Sequence, residues 1–560
     1  MARARIEKAL RSVWQWRWLL AMNLYLLSPV LFYELRIGEG GPDKTILFIL
    51  SASVLWLAAA QLVARRIWIA HALMFPLYLI VAVDLYVVMH YHTRLSSSML
   101  LTVFENLEDA REYTQTHYKG MLVELALVLV GYAYCIAKIR HLSVRTARCA
   151  ALIPLSALCI VYVAVYHLLG LWMWVTTNDR NSPFGIFPQA YTTSVLYREA
   201  LQDAQQAQQF VFGAQRRDPP SEPELYVLVI GESSRAMNWQ LYGYPRSTNP
   251  QLTRLNDLIV FRDVITQAAV TRRSVPLILT RGTIDDEQRT AREKSIVSVF
   301  REAGFHTYWL STQERDPFTG AINRYPREAE VTRFYERRFD GVLVDTVKQM
   351  LLENGAKQDK MFFVIHTLGS HFNMISRYPR TFDVFPDDDS RVSEQARLIN
   401  AYDNTIVYTD HVVADLIEVL RNRPGFKALL YVADHGENLK DDERGLFGHY
   451  QNNEYDLPIP MLFWCSAEFA EHFPGKISAA QANAARPLNT RVIFHSLADM
   501  VGIDLHDADT ARLSVFSTSV QPFPRMVAGD PIPFDFDRRR KEGSLRLPRA
   551  ERHDTALDGH

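Results

Sequence analysis

In this 560-residue chain, acids and imidazoles stand just past the ends of apolar runs. Leu225-Tyr226-Val227-Leu228-Val229-Ile230 shows no polar alternation, as expected of a parallel strand covered on both faces, and it runs into Gly231-Glu232. Ala428-Leu429-Leu430-Tyr431-Val432-Ala433 leads likewise into Asp434-His435, with Gly436-Glu437 next, and Met361-Phe362-Phe363-Val364-Ile365 delivers His366 and His371. The carboxyl edge of an open α/β sheet is where ligands bind. Two carboxylates and a neutral imidazole suit zinc, which takes oxygen and nitrogen ligands in tetrahedral geometry. A further run, Leu258-Ile259-Val260-Phe261, leads to Val270-Thr271-Arg272-Arg273-Ser274-Val275-Pro276. A hydroxyl there could sit at a helix start, whose free N–H groups favour a phosphate. Metal coordination would lower the pKa of such a hydroxyl and aim it at phosphorus. On chemistry alone Thr271, Ser233, Ser234 and Ser274 all qualify.

The elements that must position these groups alternate between strand and helix. Residues 294–303 read as helix, 304–311 as strand, 328–354 as helix, 393–420 as a long amphipathic helix and 459–465 as strand. That alternation indicates an α/β domain with a mostly parallel sheet. Ahead of it the composition is different. Residues 18–33, 45–63, 67–90, 121–137 and 150–175 are apolar and near the ~20 residues a bilayer span requires. Arg3, Arg5, Lys8 and Arg11 precede the first run, Arg65 and Arg66 separate the second and third, and Lys138, Arg140, Arg145 and Arg148 separate the fourth and fifth. The positive-inside rule then gives a cytoplasmic N-terminus, five spans and an exported C-terminal half. The first run has a basic start but no small-residue cleavage site, so it reads as a span and not a signal peptide. Asp84 and Glu124 fall near span ends, where they can reach the interface. The expected division is a membrane domain at 1–176, linker helices at 177–222, a catalytic domain at 223–535 and a charged, disordered tail at 536–560. A net charge of −1 argues against nucleic-acid binding, which needs a strong basic excess. Of four cysteines only Cys465 lies in the exported half, so that half has no internal disulfide.

Gly231-Glu232-Ser233-Ser234-Arg235, with Tyr242-Gly243-Tyr244-Pro245-Arg246-Ser247-Thr248-Asn249-Pro250, resembles the signature of the membrane phosphoethanolamine transferases, in the sulfatase branch of the alkaline phosphatase superfamily. The likeness continues, in order, at Thr271 to Pro276, His366 to His371, Asp434-His435-Gly436-Glu437 and Gly448-His449. It implies a five-helix inner-membrane domain carrying a periplasmic sulfatase-like domain. It implies Glu232, Thr271, Asp434 and His435 as ligands of Zn2+ (one or two ions), with Thr271 as the nucleophile. The spacing to Ser274-Val275-Pro276 singles out Thr271 within that likeness. His371 and His449 would hold the substrate phosphate or a second metal, and Thr102 and Asn106, on an external amphipathic helix, would contact the lipid donor. The implied reaction moves phosphoethanolamine from phosphatidylethanolamine to Thr271 and then to an acceptor. Thr271-Arg272-Arg273-Ser274 lacks the sequence that a formylglycine sulfatase needs. Ala268, Ala269 and Leu277 stand where disulfide-rich lipid A-modifying relatives have cysteines. The chain is therefore more similar to cysteine-poor relatives acting on lipopolysaccharide core sugars or other glycans. A lipid A transferase, a glycerophosphate transferase and a phosphodiesterase are the alternatives.

Overall fold

In the computed structural model the chain forms two compact units, Met1–Arg198 and Glu199–His560. The structure describes residues 17–26, 28, 29, 32, 67–91, 95, 107–140 and 207–545, the last range without 217, 218, 314–321, 323, 355–358, 389, 390, 508, 530 and 531.

In the first unit, helix Leu107–Ile139 contains the apolar stretch Leu122–Ile139, 18 residues of mean hydropathy 1.9 and long enough to cross a bilayer. The helix begins well before residue 121, because residues 107–120 continue it where a loop was expected. The expected span at 67–90 is broken. Helices Ile67–Leu73 and Phe75–Tyr91 meet at a bend of 59°. Pro76, at the start of the second, lacks the N–H that would continue the ladder. Among the described residues, one helix is long and apolar enough to cross a membrane, or two spans if the bent pair counts as one. Leu19, Met22, Ile67, Leu77, Val81 and Ile139 pack together in this unit. Asp84 accepts a hydrogen bond from the Leu95 amide at 2.9 Å, a structural partner for an acid near a span end. The expected spans at 45–63 and 150–175, and Thr102 and Asn106, lie outside the described residues.

The second unit is built on seven strands: β1 (Glu224–Gly231), β2 (Leu258–Phe261), β3 (His306–Ser311), β4 (Val331–Phe334), β5 (Lys360–His366), β6 (Phe426–Ala433) and β7 (Met461–Cys465). Their order is β2-β7-β6-β1-β5-β3-β4. β1 is central and parallel to β5 and β6, and only β7 runs against its neighbours. The sheet is thus mixed, with one reversed strand in an otherwise parallel array.

Every residue of β1 is buried, and its alternation divides the core. Tyr226, Leu228 and Ile230 face one apolar cluster, and Leu225, Val227 and Val229 the other. Both faces being covered is why the run carries no polar alternation. One cover is helix Glu394–Arg421, whose start is capped by Ser393 accepting from the Ala396 amide at 3.1 Å.

Three expectations are corrected. Residues 328–354 are not helical throughout: β-branched Val331 and Thr332 with Phe334 form the edge strand β4, and the helix starts at Gly341. In the linker, Gln215–Arg216 is a short strand paired with Ile503–Asp504, and Arg216 forms an ion pair with Glu224. The tail folds beyond 535. Phe536–Lys541 is a helix with Phe536 buried, and Asp535 caps it by accepting from the Asp537 and Arg538 amides. Its charges face solvent while its aromatic residue is anchored, which a composition argument could not separate. Residues 546–560 lie outside the described residues.

Tyr242–Pro250 is fastened to the long helix. Tyr244 and Arg246 donate to Asp403 Oδ2, and Asn238 donates to Asp403 Oδ1 at 2.6 Å. Asp403 is fully buried, so Asp403→Ala strands three donors. The expected loss is about 3 kcal/mol in chemical denaturation of the full-length protein. An unchanged midpoint would refute this anchoring role.

Candidate active site

The strand register sets the site. Ile230 pairs with both His366 and Val432, and Gly231 with Ala433, so Glu232 and Asp434 leave the sheet side by side. Ser233 then turns into the left-handed region (φ 53°). Its amide donates to Asp434 Oδ1 at 3.1 Å, its hydroxyl donates to Glu232 Oε1 at 2.8 Å, and its carbonyl accepts from Tyr402 at 2.7 Å. His435 Nδ1 lies 2.8 Å from the Gly436 carbonyl, which can only accept, so Nδ1 carries the proton and Nε2 keeps its lone pair. Thr271 is the first residue of helix Thr271–Leu279, after extended Val270. Its Oγ1 lies 3.1 and 3.2 Å from the two Glu232 carboxylate oxygens and 3.1 Å from His435 Nε2.

These atoms fit one metal ion. A tetrahedral zinc with ligands at about 2.05 Å has ligand-to-ligand edges of about 3.3 Å. His435 Nε2 is 3.4 Å from both Glu232 Oε1 and Asp434 Oδ2, close to such an edge. Glu232, Asp434 and His435 form one group able to hold a metal, and His435, Glu437 and His449 form another. The group Asp383, Asp387 and Asp388 also meets the distance test, but Asp387 is already engaged by Tyr378 and Arg380.

The electrostatics agree. Burial, reinforced by Asp434, holds the Glu232 carboxyl well above its usual range. Burial pushes Asp434 up to about 7 and Glu437 up to about 8. Buried histidines move the other way: His435 is lowered and His449 falls to about 4. Among the described residues, the basic side chain beside both Glu232 and Asp434 is His435, with no lysine or arginine paired to them. Without a cation, the site stays compact by keeping protons on its acids and its imidazoles neutral.

The outer residues converge on the same place. The short hairpin Asn438–Leu439 with Phe447–Gly448 returns the chain so that His449 stands 4.5 Å, ring to ring, from His435. His449 Nδ1 is 3.2 Å from Glu437 Oε2. His371 lies 6.4 Å from His449 between ring centres. Arg273 is turned to Glu287, and Ser274 Oγ is 3.4 Å from Asp434 Oδ2.

Sequence reading missed several supports. Gln313 donates to Glu232 Oε2 at 3.0 Å and to the Thr367 carbonyl at 2.9 Å. The polar run Ser311-Thr312-Gln313 at the end of β3 was the available signal. Asp340 accepts from the Leu368 and Gly369 amides, both at 3.0 Å, and orders the loop that carries His371. Gly369 (φ 51°) lies so close to β1 that a Cβ would meet the Glu232 carbonyl at 2.7 Å.

The sulfatase family matches residues 224–503, half of the chain. YhbX of Escherichia coli K12 is 33% identical over 249 residues, but the chain spans only 43% of its length and 43% of this chain is covered. EptC of Escherichia coli K12, named as a phosphoethanolamine transferase, is 25% identical over 537 residues, covering 87% of this chain and 88% of EptC. The periplasmic domain of Escherichia coli EptC, solved in complex with Zn, has a TM-score of 0.53 at 25% identity, covering 58% of this chain and 95% of that domain. The integral membrane protein lipooligosaccharide phosphoethanolamine transferase A (EptA) of Neisseria meningitidis shares the fold over 88% of this chain and 97% of its own, with a TM-score of 0.62 at 20% identity.

The raised carboxyl pKa values set a pH test. An unfolded histidine titrates near about 6.5, so only above about pH 7.5 are the histidines neutral whether folded or unfolded and out of the balance. From there to about pH 8.5 the metal-free fold gives up protons still held on Glu437 and, in part, on Asp434, which the unfolded chain has already released. The native state binds more protons, so its stability falls as pH rises through that window. Melting of chelator-stripped protein from about pH 7.5 to about 8.5 should show this decline, and zinc, displacing the protons, should remove it. A flat or rising curve for the stripped protein would contradict it.

Proposed function

The chain belongs to the sulfatase family, and from that premise we propose that it is a membrane phosphoethanolamine transferase with Thr271 as nucleophile. The observation that carries this reading is the Thr271 hydroxyl, at a helix start and about 3 Å from both a buried carboxylate and an unprotonated imidazole nitrogen. The similarity to EptC over 87% of the chain supports the substrate class.

Glu232, Thr271, Asp434 and His435 would hold a zinc ion, which when bound lowers the pKa of the threonine hydroxyl and draws charge from the phosphoryl oxygens. Oγ1 of Thr271 attacks phosphorus in phosphatidylethanolamine, the bond to the glyceride oxygen breaks, and that oxygen leaves with a proton as diacylglycerol. An acceptor hydroxyl then attacks the phosphothreonine, loses its proton, and Thr271 departs with its hydroxyl restored. His371 and His449 flank the position that the phosphate would occupy. Backbone amides at the start of the Thr271 helix favour its negative charge.

The membrane half has five spans in this reading, with a cytoplasmic N-terminus and a periplasmic catalytic unit. Its support is the apolar stretch Leu122–Ile139, the basic loops and the shared fold with EptA. Thr102 and Asn106 would touch the lipid donor. The acceptor we favour is a lipopolysaccharide core sugar or related glycan. Mass spectra of core oligosaccharide and lipid A from a deletion strain decide that choice: the core should lose the phosphoethanolamine unit, and loss from lipid A alone would name the other acceptor.

Thr271→Ala should lower transfer from labelled phosphatidylethanolamine at least about 10³-fold with the fold intact, and no label should remain on the protein. Intact turnover would remove Thr271 from its role. Chelation should abolish transfer, and zinc should restore it better than magnesium, because imidazole favours zinc over a hard oxygen-seeking ion. Restoration by magnesium alone would overturn the metal assignment.

A further inference from the structure

The chain segment after the sheet folds back against the loop that presents Thr271. Val527, Phe534, Phe536 and Leu545 pack with Ile265 and Ala269 in one buried apolar cluster, which also takes in Leu457. Ala528 packs with Ala268 and Leu277 in another, on either side of Thr271 in sequence. The Ala528 amide donates to the Gln267 carbonyl at 2.7 Å. Arg525, itself buried, joins Asp263 at 2.6 Å to Asp537 at 2.8 Å, tying the strand Asp263–Ile265 to helix Phe536–Lys541. The same loop meets the segment carrying His449, since the Tyr450 amide donates to the Ala269 carbonyl at 3.1 Å and the Thr266 amide donates to the Leu457 carbonyl at 2.9 Å.

We propose that the strands Met526–Val527 and Phe534–Asp535, with helix Phe536–Lys541, form a non-covalent clamp that positions the nucleophile, with Phe536 as its central residue. The need is local. The loop at 266–270 contains no regular structure, and the one cysteine of this unit, Cys465, is free, so no disulfide holds it. Its residues 266–269 are buried, and without the tail's share of those contacts the loop would open at lower free energy. Reacting groups must be held to about 0.5 Å for full rate. The tail supplies apolar contacts on the inner side of Ala268 and Ala269, a backbone hydrogen bond at Gln267 and an ionic tie at Asp263. Phe536 is 1% exposed and lies under the Arg525 guanidinium, 5.0 Å from ring centre to carbon. Removing its ring would empty the junction on which these contacts converge.

The proposal rests on Thr271 as nucleophile, so the test includes a readout independent of chemistry. Full-length Phe536→Ala and Phe536→Leu proteins in detergent are compared with wild type by amide hydrogen exchange and by turnover. In Phe536→Ala, exchange across 266–271 should accelerate about tenfold while β1 stays protected. In the same variant kcat should fall about tenfold with the donor KM within about twofold, because positioning and not donor binding is lost. Phe536→Leu, which still fills most of the junction, should recover both. Unchanged exchange across 266–271 when helix Phe536–Lys541 has lost its protection would overturn the clamp. Equal acceleration in β1 would overturn it too, by making the effect global. Faster loop exchange with unaltered kcat would overturn the positioning role. Retained turnover in Thr271→Ala would instead unseat the nucleophile reading, and the exchange result would still decide whether the tail holds the loop.

Discussion

Two carboxyl groups with almost no solvent exposure stand side by side at the ends of two parallel strands, with a neutral imidazole beside them. Burying carboxylates without a partner is costly, and burying two together compounds it. At several other acids of the unit the partner is arginine: Asp403 has Arg246, Asp441 has Arg235 and Glu293 has Arg281, whereas buried Asp340, Asp410 and Asp456 are held singly by amides. At Glu232 and Asp434 the molecule supplies backbone amides, a serine hydroxyl and a glutamine amide, all of which orient the oxygens while adding no formal charge. That is an arrangement suited to a divalent cation. A guanidinium in the same place would lower the carboxyl pKa values and occupy the position. The deep register match of β1 with β5 and β6, the left-handed Ser233 and the glycine at 369 are conditions for bringing these oxygens together.

The sequence is legible where a local pattern has one physical meaning. Continuous apolar runs ending in an acid or an imidazole mark strands covered on both faces, and β1, β5 and β6 are found there. Ser393 marks the start of the long helix because a serine ahead of a 3.6-residue apolar period can satisfy an otherwise unbonded amide. Legibility fails where the partner is distant in sequence. Gln313, Asp340 and Tyr402 reach the site from 81, 28 and 169 residues away from the groups they hold. Nothing local in Asp340 separates it from any other acid preceding a helix. The reversed direction of β7 is invisible for the same reason, since an apolar run has no sign. The tail misled because charge was read as an average over 25 residues, whereas two aromatic residues at 534 and 536 decide where its first part goes.

The ordered series of motifs also divides by task once the contacts are known. Gly231 to Arg235 builds the site directly through Glu232 and Ser233, but Arg235 is buried against Asp441 and Asn238, away from any phosphate. Tyr242 to Pro250 is a structural clip: Tyr242 donates to the Phe261 carbonyl and accepts from the Met461 amide at 2.8 Å, and Thr248 donates to the Asn238 carbonyl. A match in this block therefore reports on how the sheet edge is assembled and carries no information on the acceptor.

Acceptor choice has to be sought where the chain meets solvent beside Thr271. The His371 loop continues into Phe372-Asn373, and Asn373 adopts a left-handed conformation (φ 60°) that re-aims the chain two residues after the histidine. Arg377 donates back to the Phe372 carbonyl at 3.1 Å, closing that turn. On the other side Arg273 is held by Glu287, both of them partly exposed. A surface ion pair of this kind is worth little, so Arg273 can exchange its carboxylate for another anionic group at small cost. Chemistry fixed at the sheet edge, with recognition left to loops whose interactions are weak, is the division expected when a rigid scaffold positions the reacting groups and surface loops meet the substrate.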